Sequence, residues 1–186
     1  MSVRASKEEI ERRILDVTAG LIARHGVRAT TTQLVADAVG FSKASIFHRF
    51  ENKDRLIQLA VRACIELGAL AHDQVRDLAP GPAKDESALA AILDLGLQRP
   101  GFLALMLSSV TVREPGEFGP GAEALADSLL AMFDLERPAR ANDVDRLFRV
   151  IGALSVLSVL GLAYRDYADE ATARRVILAS AVSAIG

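Results

Sequence analysis

The sequence predicts an all-α protein: an N-terminal three-helix helix-turn-helix domain followed by a longer helical domain. Three observations carry this. Apolar residues recur at helical spacing, as in Ile10, Ile14, Val17 and Leu21. Alternating strand patterns are nearly absent. Breakers fall at intervals that leave helix-length stretches between them: Gly26, Gly40, Pro80-Gly81-Pro82, Pro100-Gly101, the run EPGEFGPG from Glu114 to Gly121, and Pro138. With 186 residues, 51% hydrophobic and 25% charged, the chain suits one or two small domains with a buried core, not a disordered segment.

The first helix is expected over residues 7–25, its stripe of Ile10, Ile14, Val17 and Leu21 widened by Leu15 and Ile22 and stopped by Gly26. Next comes the stretch that organises the chain, TTQLVADAVGFSKASIFHRFENK from Thr31 to Lys53. A short helix from Thr32 to Val39 carries Leu34, Val35, Ala36 and Ala38, with threonines upstream to cap it. Gly40 ends it in a left-handed turn, Phe41 plugs the corner, and Ser42 caps a second helix from Lys43. On that helix Ile46 and Phe50 share one face, so Lys43, Ser45, His48 and Arg49 point outward.

Two short helices joined by so tight a corner read as a DNA-binding helix-turn-helix, motif about 31–50. Lys43 is expected at a base or phosphate. Ala44 and Ser45 are short enough for close approach to base edges, and His48 and Arg49 suit phosphates. Lys53, at the start of the next helix, opposes that helix's dipole unless a phosphate sits there. The full set expected at DNA is Thr31, Thr32, Gln33, Ser42, Lys43, Ala44, Ser45, Phe47, His48, Arg49 and Lys53.

From about Lys7 to Leu59 the chain resembles the N-terminal domain of the TetR family of transcriptional regulators. The residues that carry the likeness are Gly26, Thr30, Thr31, Gly40, Ser42, Lys43, Phe47, His48, Phe50 and Lys53. The pattern departs at Phe47, where the family has Tyr, so a phosphate-directed hydroxyl is absent. It departs again at Leu34, in place of an acidic capping residue; Thr30 with Gln33 has the Thr-x-x-Gln spacing of a substitute. The resemblance implies residues 1–55 as a DNA-binding domain and 56–186 as a helical ligand-binding and dimerisation domain. It also implies a homodimer on a double-stranded palindromic operator, released by a small-molecule effector.

Beyond the motif, a fourth helix is expected from Lys53 to Leu78, on the order of 35–40 Å long. Further helices are expected over 86–98, 102–112, 122–135, 143–167 and 171–185. The last two are telling. Past Leu154 the 143–167 helix is apolar or small nearly all round, and such a helix must be covered on every side. Pairing with the same two helices of a second subunit, as a four-helix bundle, is the expectation; a wholly internal core helix is the alternative. Phe102, Met106, Met132, Phe133 and Phe148 are expected to line an effector pocket among these helices, each competing with a plain core role.

The remaining signals exclude more than they assign. Up to Arg55 there are 10 Lys and Arg against 7 Asp and Glu, leaving 12 against 17 of the totals of 22 and 24 beyond it, so the basic end is the motif end. A single cysteine, Cys64, excludes an internal disulfide and suits a reducing cytoplasm. The start MSVRASKEEIERR reads as a charged amphipathic helix rather than a secretory leader, and the uncharged run Val150 to Ala163 is too short for a membrane span. His25, His48 and His72 lack metal-ligand spacing, Gly40-Phe41-Ser42-Lys43-Ala44 lacks the final glycine and preceding strand of a nucleophile turn, and the glycines at 116, 119 and 121 follow a helix rather than a strand. No enzyme, metal or cofactor is therefore expected. The rivals to a repressor are a helical carrier or enzyme using the motif only as scaffold, and an architectural protein that binds all DNA alike.

Overall fold

The computed structural model describes residues 6–110, 117–118, 121–137, 140–164 and 167–186. Every regular element among them is helical: α1 (Lys7–Ala29), α2 (Thr32–Val39), α3 (Lys43–Phe50), α4 (Lys53–Asp73), α5 (Pro82–Gln98), α6 (Pro100–Val110), α7 (Ala122–Ala131), a 3-10 turn at Ala141–Asp143, α8 (Val144–Ala163) and α9 (Glu170–Ile185). Pro138 and, of the Glu114–Gly121 loop, residues 114–116, 119 and 120 lie outside the described residues.

Local chemistry sets most boundaries. Ser6 caps α1 by accepting the Glu9 amide at 3.1 Å, and Glu8 and Glu9 face the positive end of the helix dipole. The expected stop at Gly26 is a kink instead: its φ of 72° breaks the helix, and one further turn follows to Ala29. α4 ends at Asp73 rather than Leu78 because the amides of Gln74 and Val75 bond the carbonyls three residues back, at 3.2 and 3.0 Å, turning Val75 into the core. At 21 residues it is ~31 Å long, shorter than expected. Pro82 and Pro100, read as breakers, open α5 and α6, where a proline's missing N–H costs nothing and its φ suits a first turn.

Buried side chains form two clusters. Around the motif, Ile14 of α1, Val35, Ala36 and Val39 of α2, Ile46 and Phe50 of α3 and Leu56 of α4 pack together. The larger cluster fills the space between α4 and α9 and also takes Ala19 and Ile22 from α1. Two helices thus belong to both clusters, α1 and α4, and on α4 the change falls between the adjacent residues Leu56 and Ile57.

α6 crosses α1 almost backbone to backbone. A Cβ added at Gly101 would lie 1.8 Å from the Asp16 carbonyl oxygen, and Gly20 faces the Gly101 Cα across the same contact. The Asp16 carboxylate accepts the Phe102 amide at 3.0 Å, satisfying a donor that the start of α6 leaves free. One residue beyond the kink, the Val27 amide reaches the Glu117 carbonyl at 3.0 Å. The head is therefore tied to the body through hydrogen bonds as well as apolar packing.

Charged pairs fasten the far end of the body. Lys84 and Asp85, both 5% exposed, reach Asp134 at 2.5 Å and Arg146 in a two-pronged contact at 3.1 and 2.8 Å. Arg146 also donates to the Phe133 carbonyl at 2.9 Å, and its hydrogen bonds with Asp85 hold the guanidinium above its ordinary pKa. Burying ions costs solvation, so such pairs hold α5, the turn after α7 and α8 in one arrangement more than they add stability.

α8 packs against α9, α5 and α6 through Val150, Ala153, Leu154, Leu157 and Gly161. It is not internal on every side: Phe148 is 68%, Val159 66% and Leu162 50% exposed. By length and composition α8 could cross a membrane, with mean hydropathy 1.7 over its most apolar window, of which 28% is buried. The shorter uncharged run from Val150 omits the first turns of α8, which carry Asp145, Arg146 and Arg149.

Gly101→Ala should lower stability by ~1–3 kcal/mol or more, since the obstacle is backbone that cannot rotate away. Urea unfolding measures this, and an unchanged midpoint would mean a looser crossing. Burial pushes the Cys64 thiol up to about 12 from 9.0. The folded chain therefore keeps a proton that the unfolded chain loses first, and stability should fall as pH rises through that interval. Iodoacetamide at pH 9 should label Cys64 only after urea is added; labelling of the folded protein would show an accessible thiol.

Candidate nucleic-acid interface

The corner between α2 and α3 is made by backbone hydrogen bonds. Gly40 sits at φ 76° and ψ 31°, and the amides of Gly40 and Phe41 bond back to Asp37 and Ala36 at 3.3 and 3.0 Å. This closes α2 with a left-handed residue that glycine adopts without side-chain strain. Ser42 then caps α3, its hydroxyl accepting the Ser45 amide at 3.2 Å and lying 2.9 Å from the Ser45 hydroxyl. Ile46 and Phe50 are 1% and 4% exposed and anchor α3 on the head.

With those two residues inward, Lys43, Ala44, Phe47 and His48 form the exposed face, and Ser45 and Arg49 sit half-buried at its edges. A helix with its side chains is ~10–12 Å across, which matches the width of a major groove, and the eight residues of α3 would run ~12 Å along it. The Lys43 ammonium stands 5.7 Å from the centre of the Phe47 ring, a cation–π distance. Arg49 is drawn to Glu11 of α1 at 3.6 Å. Lys53 donates to the Arg28 carbonyl at 3.1 Å, so α4's first cation helps satisfy the end of α1.

The residues at the start of α2 divide. Thr31 is exposed and caps the helix, accepting the Leu34 amide at 3.1 Å. Gln33 is exposed and bonds Asp37 at 2.7 Å. Thr32 is a correction: at 6% exposure its side chain belongs to the interior and does not face solvent. The capping role read for Thr30 with Gln33 is also corrected. Thr30 is 1% exposed and bonds the Gly26 carbonyl at 2.8 Å, ending α1. Three consecutive threonines share the spacing signal, and only the backbone angles decide which one stands at the cap.

Of the residues expected to line an effector pocket, Phe102, Met106, Met132 and Phe133 are 3% exposed or less and pack in the body's core. Phe148 is a correction. At 68% exposure it stands on the outer face of α8, whereas the other four are buried. Its spacing from Val144 and Ile151 suits either face of an apolar helix, so periodicity could not orient it. Sequence reasoning also missed Asp16, Glu11 and the Arg28 carbonyl, whose partners lie on other elements and leave no local signal.

The arrangement defines a class: a helical protein whose N-terminal head holds a helix-turn-helix and turns one face of its second helix to solvent. Residues 14–60 match the profile described as "Bacterial regulatory proteins, tetR family". The HTH-type transcriptional repressor KstR2 of Rhodococcus jostii (strain RHA1) is 36% identical over 53 residues, 28% of this chain and 26% of that protein. The chain's match thus spans about a quarter of that curated relative's length. The TetR-like regulator LfrR from Mycobacterium smegmatis shares the fold at TM-score 0.58 and 18% identity, over 97% of this chain and 98% of that one. PfmR, a TetR-family regulator from Thermus thermophilus, does so at TM-score 0.57 and 21% identity, over 93% and 97%. Residues 14–60 are thus similar to the TetR-family head, and the chain shares the fold of these TetR-family regulators over nearly its whole length.

Ser42→Ala should cost ~1 kcal/mol by removing the cap of α3. Chemical denaturation reads this out; no loss would show that another group satisfies the Ser45 amide.

Proposed function

We propose that this protein is a transcription regulator, a repressor, that binds a near-palindromic operator as a homodimer and leaves it when a small-molecule effector binds. The observation that carries this reading is the outward face of α3, where Lys43, Ala44, Phe47 and His48 stand clear of the core that Ile46 and Phe50 hold. Side chains at the front of such a helix reach base edges, and cations at its sides meet phosphates. Ser42, Ser45, Thr31 and Gln33 add hydroxyl and amide donors around it. Arg49 and Lys53 exchange their present partners for phosphate, a stronger acceptor than a surface carboxylate or a helix-end carbonyl.

The proposed division is a DNA-binding domain over residues 1–55 and a ligand-binding and dimerisation domain over 56–186. Two hydrophobic clusters that meet between Leu56 and Ile57 support it. Dimerisation is proposed through α8 and α9, whose exposed apolar side chains, Phe148, Val159, Leu162 and Val176, call for cover. Charged residues in the first turns of α8 and the tie of Arg146 to Asp85 favour a protein partner over lipid. The effector, of unknown identity, is proposed to enter the helical body, where it favours one placement of the two heads. The α1–α6 crossing offers the route, since a shift of α6 must move Asp16 or break its hydrogen bond. The site of action is the cytoplasm.

DNA selected from a random pool by the purified protein supplies the probe. In a gel shift, Lys43→Ala combined with Arg49→Ala should nearly abolish retention while the far-UV helical signal stays unchanged. Undiminished binding would overturn the assignment of α3. Affinity should also fall steeply with salt, and the double variant should reduce the slope of log affinity against log salt by roughly two. An affinity flat between roughly 50 and 200 mM salt would exclude several phosphate contacts.

A further inference from the structure

The outer face of α8 carries a regular seam. Phe148, Gly152, Ser155, Val159 and Leu162 follow one another at alternating steps of four and three, the spacing at which side chains of one helix meet another helix. Phe148 is the largest of them and is 68% exposed. An aromatic side chain of that kind buries ~150–250 Å² when it finds a socket.

A socket lies further along the same helix. Leu107 and Val110 of α6 and Ile151, Ser155, Ser158 and Val159 of α8 surround a groove of about 180 Å³, apolar on most of its surface. Phe148 lies before the groove in the chain and cannot bend forward into it, because helical side chains lean toward the N-terminus. Gly152 stands at the groove's near end, beside Ile151. A Cβ there would meet nothing within 4 Å, so the helix surface at that point is open and low.

We propose that the groove between α6 and α8 receives Phe148 of a second copy, with the two α8 helices crossing antiparallel over Gly152. The proposal rests on the homodimer reading above and gives it a register. A two-fold axis beside residue 152 places position 148 of one chain against position 156 of the other, next to the groove-lining Ser155 and one turn from Val159. Both knobs then fill both holes at once, as an isologous contact requires. The glycine lets the backbones approach at the crossing, as small residues do wherever helices pack closely. A parallel pair would set Phe148 against itself and leave both grooves empty. Because one wall of the groove, Leu107 and Val110, belongs to α6, the second copy's phenyl ring also braces the helix that crosses α1.

Sedimentation velocity across a protein concentration series tests the proposal on the full chain. The wild type should be a dimer, Phe148→Ala should raise the dimer dissociation constant at least tenfold, and Phe148→Asp should leave a monomer with an unchanged far-UV signal. Gly152→Cys should form an intersubunit disulfide under mild oxidation, whereas the wild type, whose Cys64 is buried, should not. A wild-type dimer that Phe148→Asp leaves intact, or a Gly152→Cys variant that never crosslinks, overturns the register and leaves the dimer standing. A monomeric wild type overturns the dimer itself.

Discussion

The rest of the molecule depends on the crossing of α6 over α1. Gly20 and Gly101 bring two backbones into contact, and the Asp16 carboxylate takes the Phe102 amide at the centre of the crossing. A helix start buried without such a partner would leave an amide unsatisfied, at a cost of ~1–3 kcal/mol. The contact is thus both close and directional. It resists sliding, because backbone cannot rotate aside as a side chain can.

That rigidity gives the shared helices their meaning. α1 lends Ile14 to the head's core and Ala19 and Ile22 to the body's; α4 lends Leu56 to the first and Ile57 onward to the second. A movement of either helix is felt in both places. The face that α3 turns outward is then aimed by where the body holds α1 and α4. At the opposite end, the pairs Lys84–Asp134 and Asp85–Arg146 keep the start of α8 in register with α5, so the outer seam of α8 is displayed on a fixed support.

Much of the head could be read directly from residues. Gly40, Phe41 and Ser42 specify a corner because each acts on the backbone nearby: the glycine turns left-handed, the phenylalanine plugs the gap and the serine caps the next helix. Ile46 and Phe50 then orient α3, since a four-residue step fixes which face is inward. The same logic failed at the three threonines, where neighbouring residues offer identical chemistry, and at Pro82 and Pro100, where proline fits a first helical turn as well as a break. It failed more deeply at Phe148. On a helix apolar around most of its circumference, periodicity carries no information about which side meets the core.

By itself, the sequence determined the helical class, the helix-turn-helix and the identity of the side chains that α3 shows, because these depend on contacts within a few residues. Only the tertiary structure decided that Thr32 points inward, that Asp16 holds the start of α6, that Arg49 meets Glu11, and that Phe148 lies outside. Each of those outcomes depends on an element distant in sequence. The preference that sets it exists only once the helices have packed.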